Sequence, residues 1–144
     1  MSRYNLTGRT VAITGSTGGL GSALADALRA RGANLALLDL NLEAVKAQAE
    51  QLGGGTVARG FWADVRDLGS LEIAMMGAAE HFGRLDIVIA NAGIDTMAPM
   101  ATLDPAAFEQ VIDINLAGVW RTFRAALPHV QPHRGYLLAI SSMA

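Results

Sequence analysis

At 144 residues the chain fits one domain with a core of its own, and a composition of 51% hydrophobic against 17% charged residues excludes a disordered segment. Net charge is −2 and no basic run exists, which argues against a nucleic-acid partner. The absence of cysteine removes disulfides and thiolate metal sites; no apolar run approaches the roughly 18 residues of a membrane span, residues 1–8 hold no apolar signal core, and the expected location is cytoplasmic.

The first apolar run, 10–14, reads as a buried strand. It runs into Thr14-Gly15-Ser16-Thr17-Gly18-Gly19-Leu20-Gly21, and a helix pattern then occupies 19–31, with Leu20, Leu24 and Leu28 beside Ala23 and Ala27. A helix N-terminus offers unpaired N–H groups and a positive dipole end, and glycine lets a pyrophosphate approach the backbone. The strand–glycine–helix order therefore predicts a dinucleotide site, although the same glycines would also serve a plain turn. A kinase-type phosphate loop is excluded, because it needs Gly-Lys-Ser/Thr and Lys46 is the single lysine.

The second strand, 34–39, ends in Asp39, 18 residues after Gly21. A carboxylate there accepts hydrogen bonds from the adenosine ribose hydroxyls and repels a 2′-phosphate. Its neighbours Leu38 and Leu40 are apolar, and Ser16 and Thr17 are neutral, so NAD is favoured over NADP. Asp39 and Asn41 also suit a helix cap.

Further runs at 57–63, 85–91 and 135–141 read as strands, and 42–52, 67–82 and 105–130 as helices. Gly32 and Gly53 fall where helix C-caps are expected, and Asp104-Pro105 is an N-cap followed by proline at the first helical position. Strands without polar alternation, separated by helices, predict an α/β fold: a doubly wound, Rossmann-like parallel sheet buried on both faces. His129 and His133 lack a third ligand, so no metal is expected. His81 suits a helix C-terminus. Met97, Met100 and Met143 read as core filler or as lining of a lipophilic pocket.

Five motifs in order make the chain resemble a classical short-chain dehydrogenase/reductase over essentially its whole length. They are Thr14-Gly15-x-x-x-Gly19-x-Gly21, Asp64-Val65 after the third strand, Asn91-Ala92-Gly93 after the fourth, Asn115 within the last helix, and Ser142 after the fifth strand. The resemblance implies that Gly15, Ser16, Thr17, Gly19, Leu20 and Gly21 meet the cofactor, with Asp39 and Leu40 at its ribose. Asp64 and Val65 would meet the adenine, and Asn91, Ala92 and Gly93 the nicotinamide ribose. Asn115 would belong to a proton relay and Ser142 would hold the substrate oxygen, with Ser141 as the alternative. Plainer readings stand beside these: an N-cap for Asp64, a turn for Asn91-Ala92-Gly93, a back-bonded helical side chain for Asn115, and a helix cap for the serines.

The implied activity is NAD-dependent hydride transfer on an alcohol or ketone. The family's Tyr-x-x-x-Lys pair is not among these residues, since Gly8 and Ile140 stand four beyond Tyr4 and Tyr136. Residues 1–144 therefore read as the cofactor-binding half of such an enzyme, truncated before that helix. A non-catalytic dinucleotide-binding module or remnant, or an epimerase on the same fold, are the competing readings. A bare strand edge at Tyr136–Ile140 and a helix face around Val119, Trp120 and Phe123 predict a homo-oligomer.

Overall fold

A computed structural model describes residues 5–142. The elements in order are β1 (Thr10–Thr14), α1 (Gly19–Arg29), β2 (Asn34–Asp39), α2 (Leu42–Gln51), β3 (Ala58–Trp62), α3 (Leu68–Phe82), β4 (Ile87–Ala90), α4 (Pro105–Ile112), a π-helical turn (Asp113–Ala117), α5 (Gly118–Val130) and β5 (Tyr136–Ala139). The sheet runs β3-β2-β1-β4-β5 with every pairing parallel. Winding goes outward from β1 to β3 and then crosses to β4, so the topological switch lies between β1 and β4. A doubly wound sheet opens its ligand crevice at the strand C-termini of that point.

Period-two geometry divides the core. Val11, Ile13, Leu35 and Leu37 face one way with Ala25, Val45 and Ala49 of α1 and α2. Ala12, Ala36, Leu38 and Val88 face the other, against Leu71, Met75, Ala125 and Ala126 of α3 and α5. Burial on both faces holds for β1 and β2 but not for the two edges. Arg59 and Trp62 of β3 and Tyr136 and Ala139 of β5 are exposed. No local pattern carries strand order, so edge position is invisible in the run itself.

The helix expected over 105–130 is interrupted by the π turn. The N–H of Gly118 bonds the carbonyl of Asp113, five residues back. Asp104 caps α4 as expected, its carboxylate accepting from Ala106 N–H at 3.1 Å. Of the two cap glycines, Gly53 follows the cap residue Leu52 directly, whereas α1 caps at Ala30 and Gly32 lies two residues beyond, at φ +88°.

Asp86 ties down the N-terminal end of two adjacent inner strands, β1 and β4. Its carboxylate is 5% exposed and accepts from Arg9, from Arg84 twice (2.6 and 2.7 Å) and from the Thr10 N–H at 2.9 Å. Burial alone would raise this carboxyl, but Arg84, the Thr10 N–H and Arg9 outweigh it and hold it below the usual carboxylate range. Asp86→Ala leaves the Thr10 N–H buried without a partner and should cost about 1–3 kcal/mol in urea denaturation at neutral pH. The folded carboxyl lies below the unfolded value of about 3.9, so its contribution is complete above that pH and lost as the pH falls through the folded value. The gap between wild type and variant should therefore close below about pH 4; a gap independent of pH would contradict this account.

Candidate functional site

The glycine turn needs its glycines for three different reasons. Gly15 stands at φ +64°, and a Cβ there would lie 2.8 Å from Ala92 Cα. At Gly21 a Cβ would overlap the Gly15 carbonyl oxygen and sit 2.9 Å from the Asn91 amide. At Gly19 a Cβ would meet no protein atom within 4 Å, because that position faces the cleft. Gly18 is the N-cap of α1 and makes no side-chain cap bond, so the first turn of this 11-residue helix carries no side-chain cap.

Side chains from three other elements brace this turn. Asp39, ending β2, accepts from Thr17 N–H at 3.1 Å and Thr17 Oγ1 at 2.7 Å with one oxygen, and from Leu40 N–H at 2.8 Å with the other. It is Asn41 that caps α2, accepting from Ala44 N–H. Gln48 of α2 donates through Nε2 to the Ser16 carbonyl at 2.7 Å. Asn91, just past β4, donates through Nδ2 to the carbonyls of Thr14 and Gly15, both at 3.1 Å. Thr14 Oγ1 in return accepts from the Asn91 and Ala92 N–H groups. Asn91 thus welds the ends of β1 and β4 across the switch point.

The resulting cleft has a volume of about 560 Å³. Its walls carry Gly15, Thr17, Gly19, Leu20 and Gly21 from the turn and the start of α1, Asp39 and Leu40 at the end of β2, Asp64 and Val65 from the loop after β3, and Asn91, Ala92 and Gly93 from the segment after β4. Ser16 lies beneath the wall: it is fully buried and its hydroxyl has no partner. Ser142 is exposed beyond the end of β5 and off the cleft wall, two residues past Ile140, which is on it. Sequence reasoning passed over Arg66, Ile94, Gln110 and Ile114, all of which line the cleft. Only spacing after a strand end could have pointed to Arg66 and Ile94; the two helical residues gave no signal.

Asp64 does not cap α3; Asp67 does, accepting from Gly69 N–H at 2.9 Å. Instead Asp64 accepts the Arg66 N–H at 2.9 Å, Nε at 3.1 Å and Nη2 at 2.7 Å. Those Arg66 bonds hold the Asp64 carboxyl below its ordinary range.

Asn115 occupies the π turn and bonds neither its own helix nor a neighbouring side chain. Its Oδ1 accepts from Ile94 N–H at 2.9 Å and its Nδ2 donates to the Ile94 carbonyl at 2.7 Å. One acceptor position and one N–H of the amide thus go to a single backbone residue of the cleft wall. Arg121 secures the same turn from behind, donating to Asp113 Oδ1 at 2.7 Å and to the carbonyls of Asp113 and Val65. The widened turn thereby joins the Val65 wall to the Ile94 wall, in keeping with the occurrence of π-bulges at functional sites.

Met97 and Met100 are 95% and 91% exposed, so they do not fill the core; Met143 lies outside the described residues. The ring nitrogens of His81 meet Arg59 and the Gly55 carbonyl. Among the described residues no cluster of three metal-ligating side chains occurs, and no helix is long and apolar enough to cross a membrane.

Comparison with known proteins agrees with this geometry. The family model for short chain dehydrogenases matches residues 9–144. An uncharacterized oxidoreductase of Mycobacterium bovis is 39% identical over 96% of this chain and 57% of its own length. D-threitol dehydrogenase of Mycolicibacterium smegmatis is 39% identical over 81% of this chain and 45% of its own. A crystal structure from Brucella melitensis, described as a glucose/ribitol short-chain dehydrogenase/reductase, matches with a TM-score of 0.91 and 33% identity, over 99% of this chain and 60% of that one. The chain thus spans about half the length of the curated relatives it matches.

Proposed function

The chain belongs to the short-chain dehydrogenase/reductase family, and from that premise we propose that it forms the NAD-binding part of an oxidoreductase acting on a small alcohol or ketone. The observation that carries this reading is the uncapped N-terminus of α1 behind a Gly19 whose missing side chain leaves the cleft open. Backbone N–H groups and the helix dipole would hold the pyrophosphate there. Asp39 would take the adenosine ribose hydroxyls while bracing Thr17. Asn91, Ala92 and Gly93 would flank the nicotinamide ribose. The cofactor, when bound, supplies hydride acceptance. These residues hold and orient it, while Asn115 fixes the Ile94 backbone beside it. Ser142, at the exit of β5, would orient the substrate oxygen.

Selectivity for NAD over NADP rests on the charge of Asp39. Arg66 is the basic side chain on the cleft wall, and its guanidinium is engaged by Asp64. Calorimetric titration should show NAD binding more tightly than NADP, and Asp39→Ala should shrink the difference through loss of repulsion toward the 2′-phosphate. Equal affinities in the wild-type protein would refute the assignment. Phe108, Ile112, Leu116 and Trp120 form an exposed apolar stripe on α4–α5, whereas Val119 and Phe123 are half-buried. That stripe supports assembly as a homo-oligomer.

A further inference from the structure

We propose that Gln48, a residue of α2 off the cleft wall, sets how strongly the cleft prefers NAD to NADP by holding the Ser16–Thr17 peptide that orients Asp39. The proposal rests on the dinucleotide reading of the cleft and adds a positioning residue to it. Val45, Gln48 and Ala49 are spaced three and four apart, so they share one face of α2. Val45 and Ala49 are buried against the sheet on that face. An amide is a costly choice beside them. Its Oε1 is buried without a hydrogen-bond partner, a penalty that an apolar side chain of similar size would avoid. What the amide supplies is one bond: Nε2 donates to the Ser16 carbonyl at 2.7 Å. Ser16 is fully buried, and its own N–H donates to the Leu38 carbonyl of β2 at 3.2 Å. A trans peptide is planar with its carbonyl and N–H on opposite sides, so fixing the Ser16 carbonyl also aims the Thr17 N–H. That N–H donates to Asp39 Oδ2 at 3.1 Å, and Thr17 Oγ1 donates to the same oxygen at 2.7 Å. Thr17 and Asp39 line the cleft, whereas Gln48 and Ser16 do not. Gln48 therefore acts on the carboxylate from the far end of one rigid unit. With that unit held, the carboxylate is set before a ribose arrives, and its alignment takes little from the binding free energy. NADP gains nothing from the alignment, because the carboxylate repels its 2′-phosphate.

Calorimetry with NAD and NADP tests this on Gln48→Leu and Gln48→Met, which keep the bulk of the side chain and lose its donor. NAD affinity should fall about three- to tenfold, the worth of one hydrogen bond, while NADP affinity changes by less than about twofold. The ratio of the two affinities is the deciding quantity. A brace that only stabilised the turn would weaken both cofactors alike. In an Asp39→Ala background, Gln48→Leu should leave the ratio where Asp39→Ala alone puts it, since the group it orients is gone. Thr17→Val cuts the same relay outside the core and should narrow the ratio in the same direction. An unchanged ratio in folded Gln48→Leu, the same change with and without Asp39, or an unchanged ratio in Thr17→Val would each overturn the proposal and leave the cofactor reading intact. A wild-type protein that binds neither NAD nor NADP would instead strike down the cofactor reading and this assignment with it.

Discussion

Gly19→Val should abolish NAD binding and leave the fold standing. The reason is a contrast between neighbouring glycines. A side chain at Gly21 would drive into the Gly15 carbonyl and the Asn91 amide, which hold β1 to β4. A Cβ at Gly19 would meet no protein atom within 4 Å, so a small side chain can be added there without displacing the packed turn. It would instead occupy the volume at the head of α1, where the backbone must approach a pyrophosphate closely. In helix propensity valine is better than glycine by roughly a few tenths of a kcal/mol, so the substitution carries no cost on that account. The circular dichroism spectrum and urea midpoint should match wild type while calorimetric heats with NAD vanish. Retention of normal NAD affinity by the folded variant would mean that the cleft binds its ligand elsewhere.

The polypeptide of these 144 residues, saturated with NAD, should show no measurable oxidation of secondary alcohols. Interconverting alcohol and ketone requires a proton to move as hydride leaves, and a positioned acid or base contributes roughly 10²- to 10⁴-fold. Ser142 and Asn115 are not groups that titrate near neutrality, and the Asn115 amide is held by the Ile94 backbone. Tyr136 begins β5 opposite Ile87, so it stands at the N-terminal end of the sheet, away from the cleft. Lys46 pairs with Glu43 on the exposed side of α2. His81 and His129 end α3 and α5, which lead into β4 and β5 from that same far end. Robust NADH production from a panel of alcohols by this polypeptide would sink the argument, and would point to a proton path through a group other than a tyrosine–lysine pair.

Local chemistry was legible in the residues; long-range partnership was not. The glycine turn, the Asn41 and Asp104 caps and the alternation of strands and helices all follow from neighbours a few positions apart. Asp39 was readable because its distance from the turn is set by one βαβ unit. Nothing near Asn91 reveals that its amide reaches back 76 residues to Gly15. The same holds for Gln48, which lies 32 residues from the Ser16 carbonyl it holds. Sheet order decided that the runs around Arg59 and Tyr136 would sit at edges, and order is a property of the assembled layers. The π turn was hidden because apolar residues continue on both sides of its two polar positions, Asp113 and Asn115.

That turn also sets helical phase. Along an uninterrupted α-helix each residue advances about 100°, so Phe108 and Trp120, twelve apart, would point roughly 120° away from each other. A π turn accommodates one more residue than the helix around it, which removes about 100° of that advance and brings the two rings to within roughly 20°. The stripe of Phe108, Ile112, Leu116 and Trp120 is straight because the helix is locally underwound. Deleting one residue between Asp113 and Ala117 would restore a regular helix. The buried Gly118, Thr122, Ala125, Ala126 and Val130 anchor α5 to the sheet, whereas α4 buries no side chain, so the rotation would fall on α4. The core would survive and the stripe would split in two, with Phe108 and Ile112 turned away from Trp120.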